Sequence, residues 1–168
     1  MKKIIYILIS SILLSPFIPE RAIIPVQHAS ARDWNLDSYW FAPWGESGVH
    51  KGIDIFANKG RLVQSASKGV VIYAGELERG GHVVAILSPK WRIHYYAHLD
   101  AIKISPLALV TQHSALGTVG NSGNAIGKPP HLHYSVFRLF PDPADITLET
   151  QGWKRMFYVN PHLLLTKE

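Results

Sequence analysis

"GVVIYAGELERGGHVVAILSPKWRIHYYAHL", residues 69–99, decides the fold. Within it "GVVIYAGEL", "HVVAIL" and "WRIHYYAHL" are short runs rich in Val, Ile and Tyr, separated by turn chemistry such as the "ERGG" of residues 78–81. Such runs read as consecutive strands, because branched and aromatic side chains suit a pleated surface and glycines suit the turns. Downstream, "LVTQHSALGTVGNSGNAIGKPP" (109–130) mixes short apolar pieces with glycines and reads as a strand followed by a long functional loop. No amphipathic helix of ten or more residues stands out beyond the leader. The expected fold is mainly β, a compact antiparallel sheet. Asn160-Pro161 in the tail is suited to start a short terminal helix.

The chain has 168 residues, enough for one globular domain with a leader. At 47% hydrophobic and 17% charged it is too apolar for a disordered protein. There are nine histidines and no cysteine, so any metal site must be built from imidazole and carboxylate. Lys2 and Lys3 precede an apolar run from Ile4 to Leu14, the pattern of a secretory signal. Ala29-Ser30-Ala31 offers a small-x-small cleavage site. The competing reading is an uncleaved membrane anchor, although the run falls short of the ~20 apolar residues that span a bilayer. Residues 1–31 are therefore expected to be a signal peptide or anchor, and 32–168 the working domain. Beyond residue 31 there are 14 basic and 11 acidic residues, a mild excess with no dense basic stripe, so nucleic acid is not an expected partner.

Three motifs carry chemistry. In "GVHKGIDIFANKG" (48–60), His50 and Asp54 are four apart. On a straight strand they would lie ~13 Å from each other, so one ion can bind both only if the chain bends, as Gly52 permits. Alone, the pair also fits an exposed histidine ahead of a strand with a turn-capping Asp. In "HLHYSVF" (131–137), Leu132, Tyr134 and Val136 suit a core face. His131, His133 and Ser135 then face the other way, with the two rings ~7 Å apart and able to reach one cleft. In "RIHYYAHLD" (92–100), Arg92, His94, Tyr96 and His98 share one face of a regular strand, with His98 at its end. Together these residues can supply two imidazoles and a carboxylate to a catalytic zinc, which typically takes three protein ligands and keeps a position open. The remaining histidines are then available to move protons and hold an oxyanion. One histidine of the 131/133 pair holds metal on this reading, and the other does acid–base work.

"HKGIDIFANKG", "VQSASKGVVIYAGE", "HYYAHLD", "LGTVGNSGNAIGKPPHLHYSVF" and "VNP", in this order from about Phe41 to Pro161, resemble a lysostaphin-type (LytM-domain) zinc metallopeptidase, family twenty-three. The resemblance implies the duplicated hybrid motif fold of that family, with the long loop lining a substrate groove and a short C-terminal helix. It implies one Zn2+ per chain, held by His50, Asp54 and His133, with His98 and His131 as the catalytic histidines. It further implies hydrolysis of the peptide cross-links of peptidoglycan by a zinc-activated water, in a monomer secreted or held in the cell envelope. His94 and His82 receive no role. Segment 101–120, "AIKISPLALVTQHSALGTVG", lacks glycines that the family usually has there, so an altered hairpin is expected.

Two other functions compete. One is a catalytically inactive homologue that binds the wall and regulates a separate amidase. The other is a secreted β-rich binding module with incidental histidines. Because metal-binding imidazoles must be neutral, a peptidase of this kind should lose activity below about pH 6.

Overall fold

The computed structural model describes residues 19–167. The run Ile4–Leu14, on which the expected signal or anchor rests, lies outside them. Among the described residues no helix is long and apolar enough to cross a membrane.

The three runs of 69–99 form β3 (Gly69–Leu77), β4 (Gly81–Leu87) and β5 (Arg92–Ile102). Short strands β1 (Ile53–Phe56), β2 (Leu62–Gln64), β6 (Leu109–Val110), β7 (Ala115–Val119), β8 (His131–Arg138) and β9 (Tyr158–Val159) complete one sheet. Its main path runs β1-β8-β5-β4-β3-β6, with β7 joining β2 to β5 and β9 pairing β8. Every pairing is antiparallel. The one α-helix among the described residues is α1 (Pro161–Thr166). Asn160 caps it by accepting from the His162 N–H, and Pro161 takes the first-turn position where its missing N–H costs nothing.

One sheet face carries the core. Val63, Val71, Val84, Ile86, Tyr96, Leu99, Leu132, Tyr134 and Val136 are buried in one cluster. The alternation expected of β8 is present: Leu132, Tyr134 and Val136 point inward, leaving His131 and His133 to the opposite face. β5 departs from the regular alternation. His98 has φ 63°, and the register slips between β4 and β5 at His82/Val84. This irregularity lets Tyr96 and Leu99 both enter the core, while His98 turns away from the face of His94 and Tyr96 on which a regular strand would place it. A left-handed non-glycine residue costs about 1–3 kcal/mol, and the His98 N–H bond to the Gly80 carbonyl (2.8 Å) helps hold it.

The glycine-poor segment 101–120 makes its turns with other residues. Leu107 (φ 68°) and His113 (φ 69°) adopt the left-handed conformation that glycine usually supplies. Pairing in the hairpin is correspondingly brief, since β6 has only two residues.

Candidate metal centre

His50 reaches Asp54 because strand geometry begins only at Ile53, after the chain has bent at Gly52. A Cβ on Gly52 would lie 2.5 Å from both the Tyr134 carbonyl oxygen and the Ser135 Oγ, so glycine is required where the chain crosses β8. The β1–β8 register then sets Asp54 opposite His133, and β5 sets Ala97 opposite His133 on its other side. His50 Nε2 lies 3.1 Å from Asp54 Oδ1 and 3.1 Å from His133 Nδ1, and His133 Nδ1 is 2.8 Å from Asp54 Oδ1. Among the described residues these three form the cluster that could hold a metal ion.

The outward nitrogens decide what the inward ones can do. The His50 Nδ1–H donates to the Ser38 carbonyl at 3.0 Å, and the His133 Nε2–H donates to Ser135 Oγ at 2.9 Å. The Ser135 O–H itself donates to the Lys51 carbonyl at 2.8 Å, which leaves its oxygen as the acceptor for His133. Neutral rings held this way present bare lone pairs inward. Two imidazole nitrogens and a carboxylate oxygen then face one another at 2.8–3.1 Å, an arrangement stable only with protons or a cation between them. Burial lowers the His133 imidazole's affinity for a proton, and nearby His50 and His131 add to this against the pull of Asp54. Burial would raise the Asp54 carboxyl, but in the metal-free protein, when protons occupy the inward nitrogens, hydrogen bonds from His133 and His50 hold it well below the usual carboxylate range. An ionised carboxylate beside the His133 ring, which resists protonation, and the inward nitrogen of His50 is a donor set suited to a divalent cation such as zinc.

His98 and His131 stand beside this cluster. Their ring centroids are 5.1 Å apart, and His98 is 5.9 Å from His133. His131 Nε2 comes within 3.9 Å of Asp54 Oδ2. Each donates Nδ1–H to a loop carbonyl, His98 to Ser122 at 2.9 Å and His131 to Pro129 at 2.8 Å, which leaves Nε2 free to take or give a proton. Burial and the neighbouring His133 and His131 push His98 down to about 4, so it is neutral at physiological pH. Loop 120–130 thus orients both rings through its backbone.

Some contacts were not legible in the sequence. Trp44 stacks on the His50 ring at 4.1 Å with planes 23° apart, forming a partly exposed wall of the cleft. Phe56 packs beside His131. Ser38 and Ser135 steady the cluster, although the period-2 pattern had placed Ser135 on the correct face. His94 is not in the cleft; it is fully buried between Tyr134 Oη (2.7 Å) and Glu20 Oε1 (3.1 Å). His82 is bound to main-chain oxygens of Leu99 and Asp100 and does not join the cluster.

The sequence profile of peptidase family M23 matches residues 48–145, which include His50, Asp54, His98, His131 and His133. The chain belongs to peptidase family M23. This M23 chain is 36% identical over 115 residues to the L-Ala--D-Glu endopeptidase of Bacillus subtilis, covering 63% of the chain and 35% of that protein. It is 30% identical over 109 residues to the murein hydrolase activator NlpD of Salmonella dublin, covering 64% and 28%. The chain spans about a third of the length of these curated relatives. Its fold resembles the catalytic domain of lysostaphin from Staphylococcus simulans, with TM-score 0.61 at 22% identity over 77% of this chain and 90% of that one. A zinc-containing peptidase from Vibrio cholerae aligns at TM-score 0.56 and 26% identity over 70% of this chain and 37% of that one.

Proposed function

We propose that this M23 protein is a zinc-dependent endopeptidase that cuts peptide cross-links of bacterial peptidoglycan in the cell envelope. The observation that carries this reading is the convergence of lone pairs on His50, Asp54 and His133 beside two further rings whose Nε2 atoms are free. His50, Asp54 and His133 would hold the zinc, which when bound supplies Lewis acidity toward a peptide carbonyl and toward water. His98, neutral at working pH, accepts a proton as attack proceeds. His131, fixed through Nδ1, offers Nε2–H when protonated to the developing oxyanion or the leaving amine. Trp44 and the 120–130 loop border the cleft in which an extended peptide lies.

The likeness to NlpD keeps one alternative in play, a wall-binding regulator of a separate amidase. The intact cluster and paired catalytic rings favour hydrolysis, since a regulator needs neither. Purified peptidoglycan incubated with the zinc-loaded protein should release muropeptides whose masses identify the cut. Release should stop with chelator and in His50→Ala and His131→Ala. If nothing is released but a partner amidase is stimulated equally by wild type and His131→Ala, the regulator reading replaces this one.

A further inference from the structure

Residues expected to leave with a signal peptide are built into the domain. The Glu20 side chain is 6% exposed and accepts from Arg92 at 2.9 Å, His94 at 3.1 Å and Ser67 at 3.1 Å. From there the chain runs along β2. The Ile23 N–H donates to the Ala66 carbonyl, the Gln27 N–H to Leu62 and the Gln64 N–H to Pro25. Val26 lies in the core at 1% exposure and bridges Val63. Ser30, in the middle of the small-x-small site, closes a capping box with Asp33. Cutting after Ala31 would strip a core residue and leave Arg92 and His94 without their carboxylate, a costly state for buried cationic and polar groups.

Left uncut between Leu14 and Glu20 as well, the strap keeps the apolar run Ile4–Leu14 attached. From Leu14 to Pro19 is five residues, which span at most ~18 Å, so whatever surface receives the run must lie close to the face around Pro19. That face is concave, about 540 Å3, and Pro19, Arg21, Lys68, Lys90 and Thr111 line it. Its one acidic residue, Glu20, is already paired. Lys68 and Lys90 have no carboxylate partner among the described residues. Two residues from Thr111, the edge strand β6 turns Leu109 outward at 85% exposure, and Leu107 beside it is 82% exposed. Leucines this exposed next to unpaired lysines have the chemistry of an interfacial lipid contact. The run itself is short for a span, and stable membrane attachment takes a second contact.

We propose that the strap from Glu20 is retained and that the Leu107/Leu109 edge with Lys68 and Lys90 docks on an anionic lipid surface. The proposal does not depend on whether the cleft hydrolyses anything. β6 and β1 close opposite ends of the main sheet path, and Glu20 meets the start of β5 whereas His98 lies towards its far end. Docking at β6 therefore uses the end of the sheet path opposite β1, the strand that carries Asp54.

Because the chain has no cysteine, the test can use single labels. The full chain carrying an environment-sensitive dye at Leu107→Cys, Leu109→Cys or, as a control near the other end, the fully exposed Leu148→Cys is incorporated into phosphatidylcholine vesicles with or without phosphatidylglycerol. The first two labels should blue-shift on the anionic vesicles and the third should not. Lys68→Gln with Lys90→Gln should cut the shifted fraction ~25-fold, at about fivefold per basic residue, and salt should reverse the shift. Labels at 107 and 109 that emit as at 148, or shift equally on neutral vesicles, would overturn the docking. A cellular protein whose mass shows an N-terminus after Ala31 would overturn the retained strap.

Discussion

Replacing Glu20 with alanine tests whether the N-terminal strap is part of the folded unit. In the native protein its carboxylate is the shared acceptor of Arg92, His94 and Ser67. Burial pushes the Glu20 carboxyl up, but the hydrogen bond and charge of His94, with Arg92, outweigh it and bring it down to about 2. Removing one partner of a buried pair costs about 3–5 kcal/mol, and Arg92 at 17% exposure recovers some hydration, so ~3 kcal/mol is expected at pH 7. For a domain of this size that is a fall in Tm of roughly 6–12 °C. Urea unfolding should show a lower midpoint at unchanged m-value. The sign with pH follows from the depressed folded value. The carboxylate's contribution is complete above 4.5 and is lost as pH falls towards 2, so wild type and Glu20→Ala should converge in acid. Glu20→Gln, which keeps an acceptor oxygen but no charge, should fall between them. A loss below ~0.5 kcal/mol at pH 7, or a gap as wide at pH 2 as at pH 7, would refute the reasoning.

Asp54→Asn should reduce zinc bound per chain from one to near zero by elemental analysis after dialysis, while the far-UV spectrum is kept. Ser135→Ala should weaken zinc binding about 10–100-fold in competition with a chelator, because His133 loses the acceptor that fixes its tautomer. In chelated protein, His98 should make folding pH-dependent. The unfolded chain takes up a proton below 6.5 and the folded ring resists until about 4, so up to about 3 kcal/mol of stability is present above 6.5 and lost between 6.5 and 4. His98→Asn should flatten that part of the urea-midpoint profile. Gly52→Ala should abolish zinc binding and destabilise by about 1–3 kcal/mol, because its Cβ would meet the Tyr134 carbonyl at 2.5 Å.

What could be read from the sequence divides along a physical line. Patterns set by neighbours along the chain were legible: the β3–β5 runs, the inward Leu132, Tyr134 and Val136, and the Asn160-Pro161 helix start. The bend at Gly52 was legible as one that glycine permits, whereas the reason glycine is required, a Cβ 2.5 Å from the Tyr134 carbonyl, is a contact with β8 that the sequence does not show. A regular strand would set His98 on the face of His94 and Tyr96; its position at the strand end beside the cleft was legible, but not its left-handed φ, which is carried by a residue that does not announce it. Trp44 and Ser38 reach His50 through loop geometry, which has no period to read. The stretch from Glu20 to Val26 is the instructive case. Its apolar composition suits a leader as well as a core, and only the partners distinguish them: Arg92, His94 and Ser67 lie between 47 and 74 residues away. A buried carboxylate with cationic and polar partners that far along the chain argues for a tertiary role that composition alone could not supply. The same logic separates the two groups of histidines. His50, His133, His98 and His131 spend one nitrogen on a local anchor and keep the other for the cleft, whereas His94 spends both on Tyr134 and Glu20 and has none left for chemistry.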